Sequence, residues 1–362
     1  MSDNSTTIYQ RLGDYIREVD VRNKDLAVER LLGVSISKEF MPSIANTIGT
    51  DMSNYKVVEG GQFAYGPVTS RNGDKVSIAL LHAEKAIISQ AYTVFEVVDK
   101  EKLLPQYLMM WFRRPEFDRY ARFHSHGSAR EVFDWEEMCE VRLPIPPIAR
   151  QREIVEEYET LSRRIRLCED MILRLEATAQ ALYHKMFVNN IAPNNLPQGW
   201  RMGTLGDVAE VSSGKTCVDK SAEQNDIYKH PIAGAAGVIG YSSTFNKDED
   251  LLTIGRVGTL GIVNRYHGKT YMADNVLVVK SEYYEYCYQL LHLIDYNEIT
   301  KGGVQSLITQ TDLKNTPAII PSEEAITLFE TDAKKISNVV DGRQSEIFIL
   351  NSIQSLLLTH LI

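Results

Sequence analysis

Between Ala149 and Asn189 the chain holds neither glycine nor proline, and apolar residues fall at Ile154, Tyr158, Leu161, Ile165, Cys168, Ile172, Leu175, Ala179, Leu182 and Met186. Steps of alternating four and three are the heptad spacing that lines one face of a long α-helix. Forty residues at about 1.5 Å each give a helix of about 60 Å. The charges around the stripe balance: Arg150, Arg152, Arg163, Arg164, Arg166, Arg174 and Lys185 against Glu153, Glu156, Glu157, Glu159, Glu169, Asp170 and Glu176. A second stripe, Phe329, Ile336, Val340, Ile347, Leu350, Ile353 and Leu357, runs through residues 323–362. Either helix alone would leave its apolar face in water. The pattern therefore predicts that the two pack on each other, antiparallel, with one globular unit at each end. The interface would be Ile154, Leu161, Ile165, Ile172, Leu175 and Leu182 against Ile336, Val340, Ile347, Leu350 and Leu357.

Ahead of each helical stretch the pattern is different. Short β-branched and aromatic runs such as residues 91–98 (AYTVFEVV), 251–263 and 275–280 (NVLVVK) are broken by Gly, Asn, Asp and Pro. They read as strands and turns, with helices over 105–112 and 282–294 between them. The two stretches are copies. Residues 127–187 superimpose without a gap on 302–362, placing Met138 on Leu313, Pro146 on Pro321, Ile172 on Ile347 and Leu182 on Leu357. The opening also matches, Arg11-Leu12-Gly13-Asp14 falling on Thr204-Leu205-Gly206-Asp207, so the copies share both flanks and differ in length at the centre. The expected fold class is α+β: two globular strand-rich domains in tandem repeat, separated by two long helices packed as an antiparallel coiled coil. The expected boundaries are 1–147, 148–190, 191–321 and 322–362.

Composition adds little that contradicts this. At 44% hydrophobic and 24% charged the chain is ordinary for a globular protein, and no apolar run nears the roughly 18 residues of a membrane span. Residues 1–7 are polar, unlike a signal peptide, so a cytoplasmic location is expected. Cys139, Cys168, Cys217 and Cys287 form no CxxC pair and read as reduced thiols. A net charge of −9 argues against coating nucleic acid by bulk charge but leaves room for local basic faces.

Several motifs tempt and fail. Ser213-Gly214-Lys215-Thr216 resembles a phosphate loop, but the glycine needed five residues earlier is Ala209 and no helical period follows. Gly234, Gly237 and Gly240, and Gly255, Gly258 and Gly261, give GxxGxxG, which reads as tight turns and close backbone approach. His124-Ser125-His126 has no Cys or carboxylate at ligand spacing, so no metal is expected. No Asn-Pro-Pro-aromatic tetrapeptide of an amino-methyltransferase occurs, and no nucleophile–base pair can be argued. The chain is not expected to be an enzyme.

At this point the sequence resembles the specificity subunits of Type I restriction-modification systems. Residues 143–155 (LPIPPIARQREIV) are similar to that family's proline-rich entry into its central conserved helix. Residues 205–216 resemble the opening of a target recognition domain, 230–241 the Gly-rich stretch after it, and 256–261 the next strand pair. The resemblance spans the chain and names its parts: target recognition domains over 1–147 and 191–321, conserved helices over 148–190 and 322–362. It implies that each domain reads one half of a bipartite, asymmetric DNA site in the major groove, with the helix pair fixing the gap. It also implies two modification subunits as partners, which carry S-adenosylmethionine and flip an adenine for N6 methylation. Restriction subunits, where present, would use ATP and Mg, leaving no cofactor bound by this chain. The alternatives are a coiled-coil scaffold that never reads DNA, or an ATPase built on Lys215. The different centres of the two copies favour the reader.

Within that expectation, residues 113–130 (RRPEFDRYARFHSHGSAR) hold five arginines and two histidines against Glu116 and Asp118, interleaved with Phe117, Tyr120 and Phe123. Arginine pairs bidentately with guanine or holds phosphate, so the run suits a duplex-reading face. The alternative is a solvated helix whose aromatics face the core. Arg113, Arg119, Arg122, His126 and Arg130 are the candidates here. The turn at 69–75 adds Arg71, Asn72 and Lys75, and the second copy offers Lys215, Arg256, Lys301 and Gln305.

Overall fold

Runs of consecutive apolar residues become strands buried on both faces, and the two heptad stripes become long helices. The structure, a computed structural model, describes residues 9–43, 49–69, 75–82, 84–127, 130–256, 261–300 and 307–361. The first copy holds β1 (Tyr9–Arg11), β2 (Ile16–Val19), β3 (Leu31–Val34), β4 (Phe40–Pro42), β5 (Lys56–Val58), β6 (Gln62–Tyr65), β7 (Ile78–Leu80), β8 (Ala86–Ile88) and β9 (Thr93–Val97). Helices α1 (Pro105–Arg113), α2 (Pro115–Phe123) and α3 (Trp135–Glu140) lead to β10 (Arg142–Pro144) and the long α4 (Ile148–Phe187). The second copy repeats the series: β11 (Arg201–Thr204), β12 (Glu210–Ser213), β13 (His230–Gly234), β14 (Gly237–Ser242), β15 (Lys247–Asp248), β16 (Leu251–Gly255), β17 (Val263–Tyr266), β18 (Lys269–Met272) and β19 (Val276–Lys280). Then come α5 (Tyr284–Leu293), α6 (Tyr296–Ile299), α7 (Gln310–Lys314), β20 (Pro317–Ile320) and the long α8 (Glu323–Thr359).

The duplication extends to every strand pairing. One sheet runs β2-β9-β6-β7 in the first copy and β12-β19-β16-β17 in the second; another runs β4-β3-β8-β5 and β14-β13-β18-β15; β1 pairs β10 as β11 pairs β20. The lone parallel pairing recurs at the same place, β3 with β8 and β13 with β18. The first copy lacks the Gly-rich run, yet it still forms the corresponding hairpin, β3–β4.

Two compact units result. Unit 1 comprises residues 1–167 and 346–362, and unit 2 residues 168–345, so each long helix contributes a segment to both. Unit 1 is centred on an aromatic nest in which Phe63 stacks on Phe95 at 4.8 Å and Phe112 meets both edge-on. Its α1 is sunk from Tyr107 to Phe112, with only Gln106 and Arg113 half-buried. Against this nest lie Tyr158 from α4 and Leu361, just beyond α8. The helices run antiparallel here, because Arg164 meets Glu346 at 2.5 Å while Ser162 meets Gln354 at 2.6 Å. In unit 2, Tyr183 and Phe187 close on Phe329 at 5.6 and 5.4 Å, beside Ile326, Ala333 and Tyr286.

The strict heptad drifts along α4. Tyr158 and Ile165 are buried as the stripe requires, but by the helix end Tyr183 and Phe187 are buried and Leu182 and Met186 only half so. A straight α-helix loses about 20° per heptad against a 3.5-residue repeat, so four heptads move the buried face by nearly one residue. Ile154, Leu161, Ile172, Leu175, Ile336, Ile347, Leu350 and Leu357 are half-buried, while Val340 is fully buried.

Each long helix also carries a polar side chain that holds the N-terminus of the helix following the main sheet. Neither α1 nor α5 has a capping side chain of its own. Gln151 of α4 accepts from the Leu104 amide at 2.9 Å and donates to the Lys102 and Pro146 carbonyls, both at 2.8 Å. In unit 2, Glu330 of α8 accepts from the amides of Tyr286 (2.6 Å) and Glu285 (3.3 Å). Burial raises the Glu330 carboxyl above its usual range, the two amides opposing that and Glu285 adding to it. A raised carboxyl pKa means the folded state holds a proton where the unfolded state has released it. That contribution is complete below about pH 4.5 and is lost as pH rises through the folded value. Denaturation of the wild type and Glu330→Gln at pH 7 and pH 5 is thus expected to shift the stability difference in favour of the wild type at the lower pH. An unchanged difference would contradict a raised Glu330 carboxyl.

Candidate nucleic-acid interface

The basic run folds into a corner rather than one continuous helix. Pro115 restarts the chain as α2 after the α1 terminus, which turns successive arginines to opposite sides. Arg114 faces inward, buried and stacked 4.3 Å from the Trp111 ring, so it belongs to the core. Arg113, Arg119 and Arg122 face outward. With Lys75 and Lys38 they line a cleft of about 710 Å³ in unit 1, flanked by Ile36 and Phe123. Phe117 is core and Tyr120 half-buried, but Phe123 is 83% exposed on the cleft wall.

A buried ion pair forms the cleft floor. Lys38 sits in the β3–β4 turn with φ 67° and sends its ammonium 2.7 Å from Asp118 of α2, and to the Phe112 carbonyl. Asp118 also accepts from the Val76 amide at 3.0 Å. One carboxylate thus pins the turn, the segment carrying Lys75, and the arginine-bearing helix. Burial pushes the Lys38 ammonium below its usual range, and Asp118 opposes that. Lys38 is 80 residues from Asp118 and was not among the sequence candidates; no local pattern marks such a pair.

Most of the outward cations have acidic neighbours. Arg119 is 3.1 Å from Glu116, Arg122 pairs with Glu131, and Arg113 lies 3.9 Å from Glu39 and 3.3 Å from the Tyr158 hydroxyl. His124 and His126 approach one carboxylate, Glu137, at 3.0 and 3.5 Å. The sequence spacing had left those histidines without an acidic partner; the fold supplies one from α3. No group of three His, Cys, Asp or Glu able to hold a metal exists among the described residues. Lys75 and Arg130 are exposed. Arg71 and Asn72 lie outside the described residues.

In unit 2, Lys215 and Arg256 come together at one end of the β12–β19–β16 sheet. Lys215 follows β12, is exposed, and its amide donates to Met272 O at 2.9 Å. Arg256 follows β16, its amide donating to Asn275 O at 2.9 Å, with its Nε buried and unbonded among the described residues. Lys301 and Gln305 lie outside the described residues. Gly214 explains its own presence: a Cβ there would stand 1.9 Å from Ala273 O, so the Ser-Gly-Lys-Thr segment is pressed against a neighbouring backbone. No helix follows it before β13.

Residues 197–352 match the Type I restriction modification DNA specificity domain. Over that stretch the chain is similar to the Type I restriction-modification specificity subunits. Among relatives, the Type I restriction enzyme MjaIX specificity subunit of Methanocaldococcus jannaschii is 20% identical over 307 residues, 74% of this chain and 70% of that one. A putative type I specificity subunit of Mycoplasma pneumoniae, S.MpnORF507P, is 24% identical over 248 residues, 64% of this chain and 65% of that one. The crystal structure of a Type-I restriction-modification S subunit from M. genitalium shares the fold, with TM-score 0.62 and 15% identity over 100% of this chain and 98% of that one. No helix of the chain, among the described residues, is long and apolar enough to cross a membrane.

Proposed function

We propose that each strand-rich unit reads one half of a bipartite, asymmetric DNA site, and that the chain presents that site to two adenine-N6 methyltransferase subunits and, where the system has them, to restriction subunits. The chain contributes recognition and assembly, not catalysis. S-adenosylmethionine, and ATP with Mg, would be held by those partners, and the setting is the cytoplasm. The observation that carries the reading is the gathering of Lys75, Arg113, Arg119 and Arg122 around one cleft of a chain with net charge −9. A local cationic face on an acidic protein is what phosphate contact requires. The repeat supports two readers: the strand order is duplicated, but the surfaces are not. Residues 105–123 contain Arg113, Arg114, Arg119 and Arg122, whereas residues 284–300 contain no Lys or Arg.

Sequencing of methylated bases in a host carrying the chain with its modification subunits tests this. The expected result is one motif of two different short half-sites separated by an unread gap; methylation of no motif would refute the reading. Lys75→Ala, which removes an exposed cation, is expected to weaken binding to every sequence alike. It should reduce the slope of log K against log salt by about one, with the motif unchanged.

A further inference from the structure

The cations of the unit 1 cleft are not equivalent. A phosphate contact draws its free energy from releasing condensed counterions, which needs an uncompensated positive charge. Lys75 offers one. Arg122 does not, because its guanidinium is already paired with Glu131, and that carboxylate would repel a phosphate. What the pair retains is direction. Glu131 engages one terminal nitrogen of Arg122, leaving the remaining N–H groups in a fixed plane.

A chain of hydrogen bonds ties the Glu131 backbone to α2, the helix that carries Arg122. The Glu131 carbonyl accepts from the Thr69 amide at 3.0 Å and from its hydroxyl at 3.2 Å. The same Thr69 hydroxyl reaches Ser125 Oγ at 3.0 Å, which in turn donates to the Ala121 carbonyl of α2 at 2.7 Å. Both members of the pair stay partly open to solvent.

Resting on the DNA-reading function above, we propose that Arg122 and Glu131 together read one G·C base pair in the half-site of unit 1. In the major groove guanine presents O6 and N7, the acceptor pair that an oriented guanidinium matches. Its partner cytosine presents the N4 amino group, a donor that a carboxylate accepts. The two side chains therefore select the same base pair through its two bases on one groove edge. Arg122 is the base-contacting residue, and Glu131 also fixes the guanidinium plane.

The test uses the complex of this chain with its modification subunits and duplexes carrying the methylated motif. Each guanine in turn is replaced by 7-deazaguanine, which lacks the N7 acceptor. At one guanine the wild-type complex is expected to lose roughly tenfold in affinity. The Arg122→Ala complex, weaker on the unmodified duplex, should lose nothing further there. Methylation sequencing supplies a second readout: Arg122→Ala and Glu131→Gln should both relax the motif at that one base pair, leaving every other position intact. A motif read normally by both variants, or a 7-deazaguanine penalty equal in wild type and Arg122→Ala at every guanine, overturns the proposal while leaving the DNA-reading function standing. Absence of any motif overturns the function on which it rests.

Discussion

Replacing Gln151 with leucine is expected to lower the stability of unit 1 by about 3–5 kcal/mol. Gln151 is wholly buried, and its amide joins the Leu104 N–H, the Lys102 carbonyl and the Pro146 carbonyl to α4. Leucine fills similar space but leaves three polar groups without their bonds, each costing about 1–3 kcal/mol where water cannot enter. The loss should be local. Trp111 and Trp135 lie in unit 1 and Trp200 in unit 2, so denaturation followed in variants that keep tryptophan in one unit only separates the two transitions. The unit 1 transition should move and the unit 2 transition should not. A shift below about 1 kcal/mol would show that solvent or rearrangement replaces these bonds.

Arg265→Ala should act as strongly on unit 2. The Arg265 side chain bridges Glu176 of α4 at 2.5 Å and Glu285 of α5 at 2.7 Å, and stacks 3.5 Å from the Tyr288 ring. The Glu285 side chain is only 6% exposed, so removing the guanidinium strands a charge where solvent cannot screen it. Breaking a buried pair on one side costs about 3–5 kcal/mol, whereas replacing both partners by apolar residues of similar volume is often neutral. The double substitution Arg265→Met with Glu285→Leu should therefore recover most of the stability lost in Arg265→Ala. Denaturation read through Trp200 distinguishes these outcomes. Equal losses in the single and double variants would mean that Arg265 acts through packing rather than charge.

The long helices and the tandem repeat were legible because both are periodic signals: heptad stripes, and a repeat whose flanks superimpose. The pairing of side chains across the fold was not. Arg113 and Arg114 are adjacent in sequence, yet one lines the cleft and the other packs on Trp111, since Pro115 redirects the chain between them. Lys38 and Asp118, and His124 and Glu137, meet only because sheet and helix bring them together. Gln151 stood inside the segment that carried the family resemblance, but its bonds to residues of another element have no local trace. The run at 113–122 was found for the reason that matters physically: an excess of arginine with few acids nearby in sequence. Which acids brace those arginines depended on the tertiary structure.

The division of each long helix between the units bears on how the chain is born. Unit 1 is finished by residues 346–362, which leave the ribosome only after all of unit 2. At about 5–20 residues per second, the face of α4 that Leu361 will cover stays bare for roughly 10–40 s. Unit 2 has no such wait, since its segments are contiguous from 168 to 345. The later-encoded unit is therefore the first whose segments are all available to pack.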